Sequence, residues 1–506
     1  MRGQRRSRAQ FRLFTNQPTS HGCPVLETKA YAMRLKSVTL NNFRCFESLT
    51  LDLDPRLTVI VGENGAGKTA LLDGIASGLT PVLTHLSSAD QRLTGRGIKD
   101  SDFRLQALSG SRGKAQWSTA DYAQIMTTTV CDLRWDYWRP SASGKGRKPA
   151  ETWGETALKE HLNSITDSYK TENPAPTPVF TYYGASRGHI EVPERLRSAK
   201  NNYEHPTSAL VDCFNPRSDF REMLAWFDQE ESSELRANKG VTGEDYKPFS
   251  SLEAVRATVV LLLGGAFRNP QFNARHKFVL ERASDGAELM VSQLSQGYQS
   301  MLALAIDFAR RLAIANRYAE YGNIHAHQQF LIHATSVLDE HDPGSYAPFQ
   351  HALTMSAPAI MMVDEIDLHL HPTWQQRVLD DLMRTFPATQ FIVTTHSPQV
   401  LTSVRREKIR ILEQYEGSLR VRTPDFSPLA HESGDALAKI MGTHREPPSP
   451  LQDDIRQYEQ FVREGQEQTE AAQALRATLQ QAGYQFHESD LATWRFLASR
   501  NTGRAH

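Results

Sequence analysis

Apolar positions along this 506-residue chain fall into short runs that predict strands. Residues 34–55 alternate between apolar and polar side chains, which predicts two short strands with one exposed face. Apolar runs at 57–61 and 359–363, and a run at 390–394 that ends in a polar tip, are typical of strands that are buried on both faces. A helical pattern at about 373–385 separates the last two runs. This order of strand, helix and strand predicts a parallel α/β sheet.

Helical periodicity marks three further parts of the chain. Residues 201–267 show helical segments with polar breaks, and they lack the sustained heptads of a long coiled coil. Two short strands, at 277–280 and 288–291, then lead to a predicted helix over about 299–314. Beyond the prolines at 447–450, residues 451–500 predict amphipathic, charged helices, which we interpret as a cap or an interaction tail.

A glycine-rich segment, GENGAGKT at residues 62–69, connects the apolar run at 57–61 to a helical stretch. A strand that enters such a turn and leaves as a helix directs backbone N–H groups and the positive end of the helix dipole at a polyphosphate. In this pattern Lys68 reaches the β- and γ-phosphate oxygens, and the Thr69 hydroxyl binds Mg²⁺. The predicted cofactors are therefore ATP and Mg²⁺. The nucleotide-binding residues predicted in this segment are Gly62, Asn64, Gly65, Ala66, Gly67, Lys68 and Thr69.

Two acidic residues, Asp364 and Glu365, end the apolar run at 359–363. At the carboxyl end of a parallel strand, Asp364 is placed to hold Mg²⁺, and Glu365 to polarise the attacking water. The pair could instead cap the following helix, but a phosphate-binding segment in the same chain favours catalysis. His396 ends the neighbouring predicted strand, where it either hydrogen-bonds the γ-phosphate or has a structural role.

Composition limits the classes of function. The chain carries 57 Lys and Arg residues against 58 Asp and Glu residues, a formal net charge of -1. Bulk charge therefore indicates neither nucleic-acid nor membrane binding. Four cysteines without a CxxC pair argue against a disulfide framework and fit a cytoplasmic protein. His369 and His371 have a spacing that suits a transition metal poorly, and no apolar run is long enough to span a bilayer.

Five motifs together resemble a known family. They are LNNFRCF (40–46), GENGAGKT (62–69), LSQGYQSMLAL (294–304), IMMVDEIDLHLHPTWQ (360–375) and FIVTTHSPQVL (391–401). Over roughly residues 33–413 the chain resembles ABC-type ATPases of the RecF/SMC-like branch. Within that branch it is similar to the compact ATPases of bacterial defence systems such as Septu. The resemblance implies an α/β ABC-ATPase head, which is a P-loop core sheet plus an N-terminal β subdomain, with a helical insertion and a C-terminal helical tail.

The predicted domains follow from the motifs and the resemblance. Residues 1–32 form a basic arm, interpreted as disordered or as the result of an early start codon rather than as a targeting or DNA-binding tail. The other predicted domains are an N-terminal ATPase lobe with the P-loop (33–200), a helical insertion or second lobe (201–290), a lobe with the signature, Walker B and His-loop motifs (291–415), and a linker with a helical tail (416–506).

The resemblance also implies a head-to-tail homodimer, or a higher even oligomer, with two ATP molecules held between subunits. Ser295 and Gly297 of the signature motif would then face the γ-phosphate bound by the partner. Asp367 would lie in the loop that faces the dimer partner. Arg187, at a junction between lobes, would contact phosphate or the partner, or would form a salt bridge in the core. Glu365 and His396 would be the catalytic residues.

The implied function is an ATP-hydrolysing dimeric switch that senses or clamps nucleic acid and regulates a separate nuclease subunit, of the HNH type, in anti-phage defence. The nuclease must be separate because the residues after His396 hold no strand-borne cluster of acids. A DNA-repair ATPase of the RecF/SMC-like branch without a nuclease remains an alternative. The ATPase subunit of a membrane transporter fits less well, since NNFRCF and DEIDLHLHP resemble the DNA-repair side of the family.

Overall fold

A computed structural model describes most of the chain in two compact units, which divide between Ser433 and Gly434. The residues described are 33–88, 91–108, 116–142, 147–171, 174–188, 203–215, 220–317, 357–429, 433–434, 439–441, 451–484, 486 and 491–496. The predicted basic arm at 1–32 and the prolines at 447–450 lie outside them.

Strands and helices alternate through the described residues and are numbered here in chain order. The strands are β1 (Leu35–Phe43), β2 (Phe46–Asp52), β3 (Leu57–Gly62), β4 (Leu105–Leu108), β5 (Gln116–Thr119), β6 (Tyr122–Thr129), β7 (Arg134–Pro140), β8 (Val179–Tyr183), β9 (Phe267–Phe272), β10 (Phe278–Arg282), β11 (Glu288–Met290), β12 (Ala359–Val363), β13 (Thr389–Thr394), β14 (Ile409–Tyr415) and β15 (Ser418–Arg422). The helices are α1 (Lys68–Gly78), α2 (Thr80–Leu86), α3 (Thr156–Ser168), α4 (Phe220–Ala237), α5 (Ser250–Leu262), α6 (Gln296–Ala315), α7 (Pro372–Gln375), α8 (Val378–Thr385), α9 (Pro398–Leu401), α10 (Gln452–Arg463) and α11 (Glu470–Gln481).

Six strands form the core sheet, in the order β15-β14-β3-β13-β12-β8. Neighbours pair in parallel except for β14 and β15. Every residue of β8, β12 and β13 is buried, as expected for parallel strands covered on both faces, although β13 begins with Thr389 and Gln390 and ends with Thr394. Because β3, β12 and β13 run in the same direction, their carboxyl ends meet at one edge, where sheets of this kind bind ligands.

An antiparallel sheet of order β2-β1-β6-β7 packs against α1, the helix that follows the glycine-rich loop. A Cβ atom added at Gly74 would lie 2.7 Å from Leu40 of β1, and one added at Gly78 would lie 2.6 Å from Ile125 of β6. Glycine at these two positions therefore lets α1 approach the sheet closely. This contact connects the predicted N-terminal strands to the phosphate-binding segment.

The segment expected to be a helical insertion is only partly helical. Helices α4 and α5 match the periodicity of residues 201–267, whereas an antiparallel sheet of order β11-β10-β9 occupies its end. The sequence predicts β10 and β11 but not β9. Likewise, the single helix expected at 373–385 is two short helices, α7 and α8, with Arg377 as the N-cap of α8.

Helix α6 is joined to the core sheet by a buried ion cluster. The Oδ2 atom of Asp307 accepts hydrogen bonds from the Tyr183 hydroxyl of β8 and from Arg311 Nε, each at 2.8 Å, and Oδ1 accepts one from Arg310. Burial alone would raise the pKa of Asp307, but the Arg311 and Arg310 guanidinium groups lower it to about 2. The signature helix is therefore anchored by a charged carboxylate in the interior.

The unit that begins at Gly434 has its own small core around α10 and α11. Its buried side chains are Ile455, Tyr458, Val462, Ala472, Leu479 and Leu491. The Thr469 side chain caps α11 by accepting a hydrogen bond from the backbone N–H of Ala472, as is typical of a helix start. Across the described residues, no helix is long and apolar enough to cross a bilayer.

Candidate nucleotide site

The glycine-rich loop leaves β3 at Gly62 and enters α1 at Lys68. Gly65 and Gly67 have φ angles of 82 and 100, in the left-handed region that only glycine adopts readily. Gly62 is constrained by packing as well, since a Cβ atom there would lie 2.5 Å from the carbonyl oxygen of Leu412 on β14. The loop therefore needs glycine because of its backbone conformation and because β14 packs closely against it. These requirements are separate from the space that a bound phosphate would need.

Lys68 points back into the loop. Its Nζ atom donates hydrogen bonds to the carbonyl oxygens of Gly62 and Glu63, both at 2.9 Å. Burial lowers the pKa of Lys68, while the charges of Asp364, Glu365 and Asp367 act in the opposite direction. The predicted phosphate-binding ammonium group is thus inside the loop and under the influence of the acids that follow β12.

Asp364 connects three of the segments that the sequence singles out. Its Oδ2 atom accepts a hydrogen bond from the Thr69 hydroxyl at 2.7 Å, and its Oδ1 atom accepts one from the Thr394 hydroxyl at 2.6 Å. Carboxylate and hydroxyl oxygens are the ligands that Mg²⁺ prefers. Asp364 and Thr69, which the sequence predicts as the Mg²⁺ ligands, are therefore adjacent and of the right chemical type.

Glu365 has a left-handed backbone with φ 50. This conformation costs about 1–2 kcal/mol for a residue with a side chain, and such strain persists where surrounding contacts fix it. The backbone N–H of Glu365 donates to the Thr394 hydroxyl at 2.8 Å, and its carbonyl accepts from Arg187 at 2.5 Å. Its partly exposed carboxylate makes no hydrogen bond or ion pair with another described residue.

Arg187 contacts the backbone of the acid pair from the protein interior and is only 4% exposed. Its guanidinium group donates to the carbonyl oxygens of Gly184, Asp364 and Glu365. Burial lowers the pKa of Arg187 to about 10, against the opposing charges of nearby acids, Asp364 first. The expectation of a core arginine agrees with this burial, but among the described contacts its partners are carbonyl groups and not a carboxylate.

The loops that follow β12 and β13 are bonded to each other. Asp367 accepts a hydrogen bond from the Thr395 hydroxyl at 2.5 Å and a longer one from the backbone N–H of His396 at 3.4 Å. Gln375 joins the same loops a second time. It donates to the Leu370 carbonyl at 2.9 Å and accepts from the Ser397 hydroxyl at 2.7 Å. His396 is partly buried at this junction.

The signature motif lies beside the first of these loops. Ser295 is exposed and caps α6 by accepting a hydrogen bond from the backbone N–H of Tyr298. A Cβ atom at Gly297 would lie 2.7 Å from the carbonyl oxygen of His369, so glycine is required for this contact. The Tyr298 ring meets Trp374 edge-on at 4.6 Å. The signature thus contacts the loop after the acid pair within one subunit and keeps the Ser295 hydroxyl on the surface.

His369 and His371 have backbone and capping roles in this loop. His369 has a positive φ of 62, and the His371 ring accepts a hydrogen bond from the backbone N–H of Thr373 at the start of α7. Sequence reasoning missed two residues of the site, Thr394 and Gln375. The polar end of the FIVTT strand could have indicated Thr394, whereas no local pattern indicates Gln375.

Several known proteins share sequence with this chain. A family model described as an AAA domain, AAA_23, matches residues 37–238. The chain is 23% identical to the Retron Vc95 probable ATPase of Vibrio cholerae serotype O1 biovar El Tor, over 88% of this chain and 87% of that protein. It is 25% identical to the Retron Ec83 probable ATPase of Escherichia coli, over 75% of this chain and 72% of that protein.

A third relative matches a shorter region. Septu protein PtuA of Bacillus mycoides (strain KBAB4) is 25% identical over 34% of this chain and 21% of its own length. The two retron ATPases and PtuA therefore share sequence with this chain over different lengths. This chain carries a phosphate loop, an acid pair and a signature motif. The chain is thus similar to the probable ATPases of two retrons and, over a shorter region, to Septu protein PtuA.

Proposed function

We propose that this ATPase is a switch that closes as a head-to-tail pair, senses or clamps nucleic acid, and regulates a separate nuclease subunit in anti-phage defence. The observation that carries the proposal is the position of Asp364, which bonds Thr69 of the phosphate loop and Thr394 of the neighbouring strand while Glu365 stands beside it. Phosphate-binding, metal-binding and base-supplying groups thus meet at one edge of the sheet.

Each residue has a distinct part in hydrolysis. Lys68 and the backbone N–H groups of the loop bind the phosphates. Thr69 and Asp364 would hold Mg²⁺, which would neutralise charge on the phosphate oxygens. Glu365 orients the attacking water and accepts its proton, and His396 donates a hydrogen bond to the γ-phosphate.

The exposed position of Ser295 supports closure in pairs. Ser295 caps a 20-residue helix, whose N-terminus attracts anions. Within its own subunit this helix start contacts the loop at His369 through Gly297. The Ser295 side chain itself is exposed, so its hydroxyl is available to a second molecule. We assign this hydroxyl to the partner's phosphate loop, and Asp367 would then lie near the interface.

We assign nucleic-acid cleavage to a separate partner of the HNH type. Among the described residues of this chain, no group of three or more His, Cys, Asp or Glu side chains could hold the metal ion of a nuclease. ATP binding would favour the closed pair and hydrolysis the open one, and the nucleotide state would thereby reach the partner as a population shift.

Purification of the tagged protein from its native host tests this function. Bound proteins would be identified by mass spectrometry, and the mass of the complex measured with and without ATP and Mg²⁺, using wild type and Glu365→Gln. The expected result is an ATP-dependent even oligomer that carries a nuclease. Recovery of a permease would overturn the proposal, and recovery of an ATPase that stays monomeric in ATP would overturn the paired switch.

A further inference from the structure

We infer that Arg187 is a positioning residue for Glu365, holding the backbone of the acid pair in the conformation that presents the Glu365 carboxylate to the attacking water. The inference rests on the proposed ATPase mechanism, in which Glu365 accepts the proton of that water. It assigns Arg187 a role through the main chain, with no contact to nucleotide or to a partner subunit.

The contacts of Arg187 are directed at the acid pair itself. One guanidinium nitrogen donates to the carbonyl oxygens of Gly184 and Asp364, and the other donates to the carbonyl of Glu365 at 2.5 Å. An arginine presents its donors as a rigid planar fork, and this shape lets it hold two successive carbonyl groups at once. A lysine ammonium is a single point of attachment and cannot reproduce that arrangement.

Glu365 is restrained from both sides. Arg187 binds the carbonyl oxygen of Glu365, while the Thr394 hydroxyl accepts the hydrogen bond of its backbone N–H at 2.8 Å. Between these two contacts the backbone has a φ of 50. A non-glycine residue keeps such a conformation only where its surroundings fix it. Loss of either contact would let Glu365 relax toward a right-handed or extended backbone and would redirect its carboxylate.

Burial distinguishes this role from phosphate binding. Arg187 is 4% exposed, and both of its terminal nitrogens already donate to carbonyl groups. An arginine that binds phosphate needs donors free to form charge-assisted bonds with the ligand. Arg187 therefore acts on Glu365 from the side of the protein interior.

The test compares Arg187→Lys with Arg34→Lys. Arg34 is a matched control because it is also buried, at 5% exposure, and donates to a carbonyl, that of Ala388 just before β13. For each protein we would measure the dissociation constant of ATP, the turnover number and the thermal unfolding midpoint. Arg187→Lys should lower the turnover number about tenfold or more, since general-base catalysis is worth 10²–10⁴, and leave ATP affinity within about threefold. Arg34→Lys should leave both quantities near wild type.

A second measurement places Arg187→Lys in a Glu365→Gln background. If Arg187 acts through Glu365, the added substitution should not slow the residual single-turnover rate further, because coupled residues are non-additive. A rate that falls by the same factor in both backgrounds, or an ATP affinity weakened tenfold, would overturn the inference. Should Arg187→Lys unfold, Arg187→Gln keeps one donor and is judged by the same criteria. Wild-type protein that does not hydrolyse ATP would defeat the proposed function itself, whereas active wild type with fully active Arg187→Lys would defeat only this inference.

Discussion

The side-chain hydroxyl of Thr69 donates a hydrogen bond of 2.7 Å to Oδ2 of Asp364, although 295 positions separate the two residues in the sequence. The other carboxylate oxygen is held by Thr394 at 2.6 Å. Asp364 is therefore oriented from both sides, by the first turn of α1 and by the end of β13. This arrangement presents oxygen ligands of the kind that Mg²⁺ prefers beside the phosphate loop.

Asp364→Asn should increase the Mg²⁺ concentration needed for half-maximal hydrolysis by about tenfold or more, because an amide is a weaker ligand for a hard cation than a carboxylate. The measurement is a Mg²⁺ titration of ATP hydrolysis and of ATP binding. Asp367→Asn is the control, since it removes the same charge from a carboxylate that bonds Thr395 instead. Equal Mg²⁺ dependence in the two variants would contradict the assignment of Asp364.

Lys68→Ala and Ser295→Ala should each abolish most hydrolysis, and a mixture of the two proteins should regain part of it. In a head-to-tail pair, a mixed dimer holds one intact composite site, formed by the wild-type loop of one subunit and the wild-type signature of the other. Random mixing in equal amounts should then restore about a quarter of the wild-type rate. Steady-state hydrolysis across a series of mixing ratios measures this, and no recovery at any ratio would rule out shared sites.

Gln375→Ala should reduce the turnover number about tenfold, with ATP affinity unchanged, because transition-state contacts depend on precise placement of the loops. Gln375 bridges the Leu370 carbonyl and the Ser397 hydroxyl. Its loss removes this connection between the two loops, while the bonds of Asp367 to Thr395 and His396 remain. The neighbouring Gln376 is exposed, which makes Gln376→Ala a matched control. Similar turnover in the two variants would remove Gln375 from this role.

Asp307→Asn should destabilise the protein at neutral pH by roughly 3–5 kcal/mol, since it leaves Arg310 and Arg311 buried without a carboxylate partner. The pKa of Asp307 is lowered from an ordinary value of 3.8 to about 2 in the folded protein, where Arg311 and Arg310 overcome the effect of burial. A depressed carboxyl pKa gives stability that is present above pH 4 and is lost as the pH falls toward 2.

The pH-dependent stabilisation by Asp307 should amount to about 2 kcal/mol, because each unit of pKa corresponds to about 1.36 kcal/mol. Denaturant unfolding of wild type and Asp307→Asn between pH 2 and pH 7 measures it. The difference in stability between the two proteins should shrink below pH 4. A difference that stays constant over this range would show that Asp307 is not charged in the folded protein.

Local patterns in the sequence predict the central part of this fold. The mainly apolar runs at 57–61, 359–363 and 390–394 correspond to β3, β12 and β13, because a strand buried on both faces is rich in apolar side chains. The adjacency of Thr69 and Asp364 also follows, since parallel strands bring their carboxyl ends to one edge. These features depend on short segments and a general rule of sheet geometry.

Other features depend on long-range contacts that no short pattern encodes. The pairing of β8 with β12 places Arg187 beneath Asp364, and the bonds that Arg187 makes are to carbonyl groups that every residue possesses. The hydrogen bond between Gln375 and Ser397 likewise depends on how α7 packs against the loop after β13. The strand β9 was obscured because its sequence, FRNPQF, continues directly from a helical pattern and contains a proline, which is uncommon within strands.

The most direct test of the proposed mechanism compares wild type with Glu365→Gln in ATP binding and ATP hydrolysis. Wild type should hydrolyse ATP in a Mg²⁺-dependent reaction, and Glu365→Gln should bind ATP with unchanged affinity while its turnover number falls about a hundredfold or more. Hydrolysis by Glu365→Gln at the wild-type rate would contradict the assignment of Glu365 as the base and, with it, the mechanism of the switch.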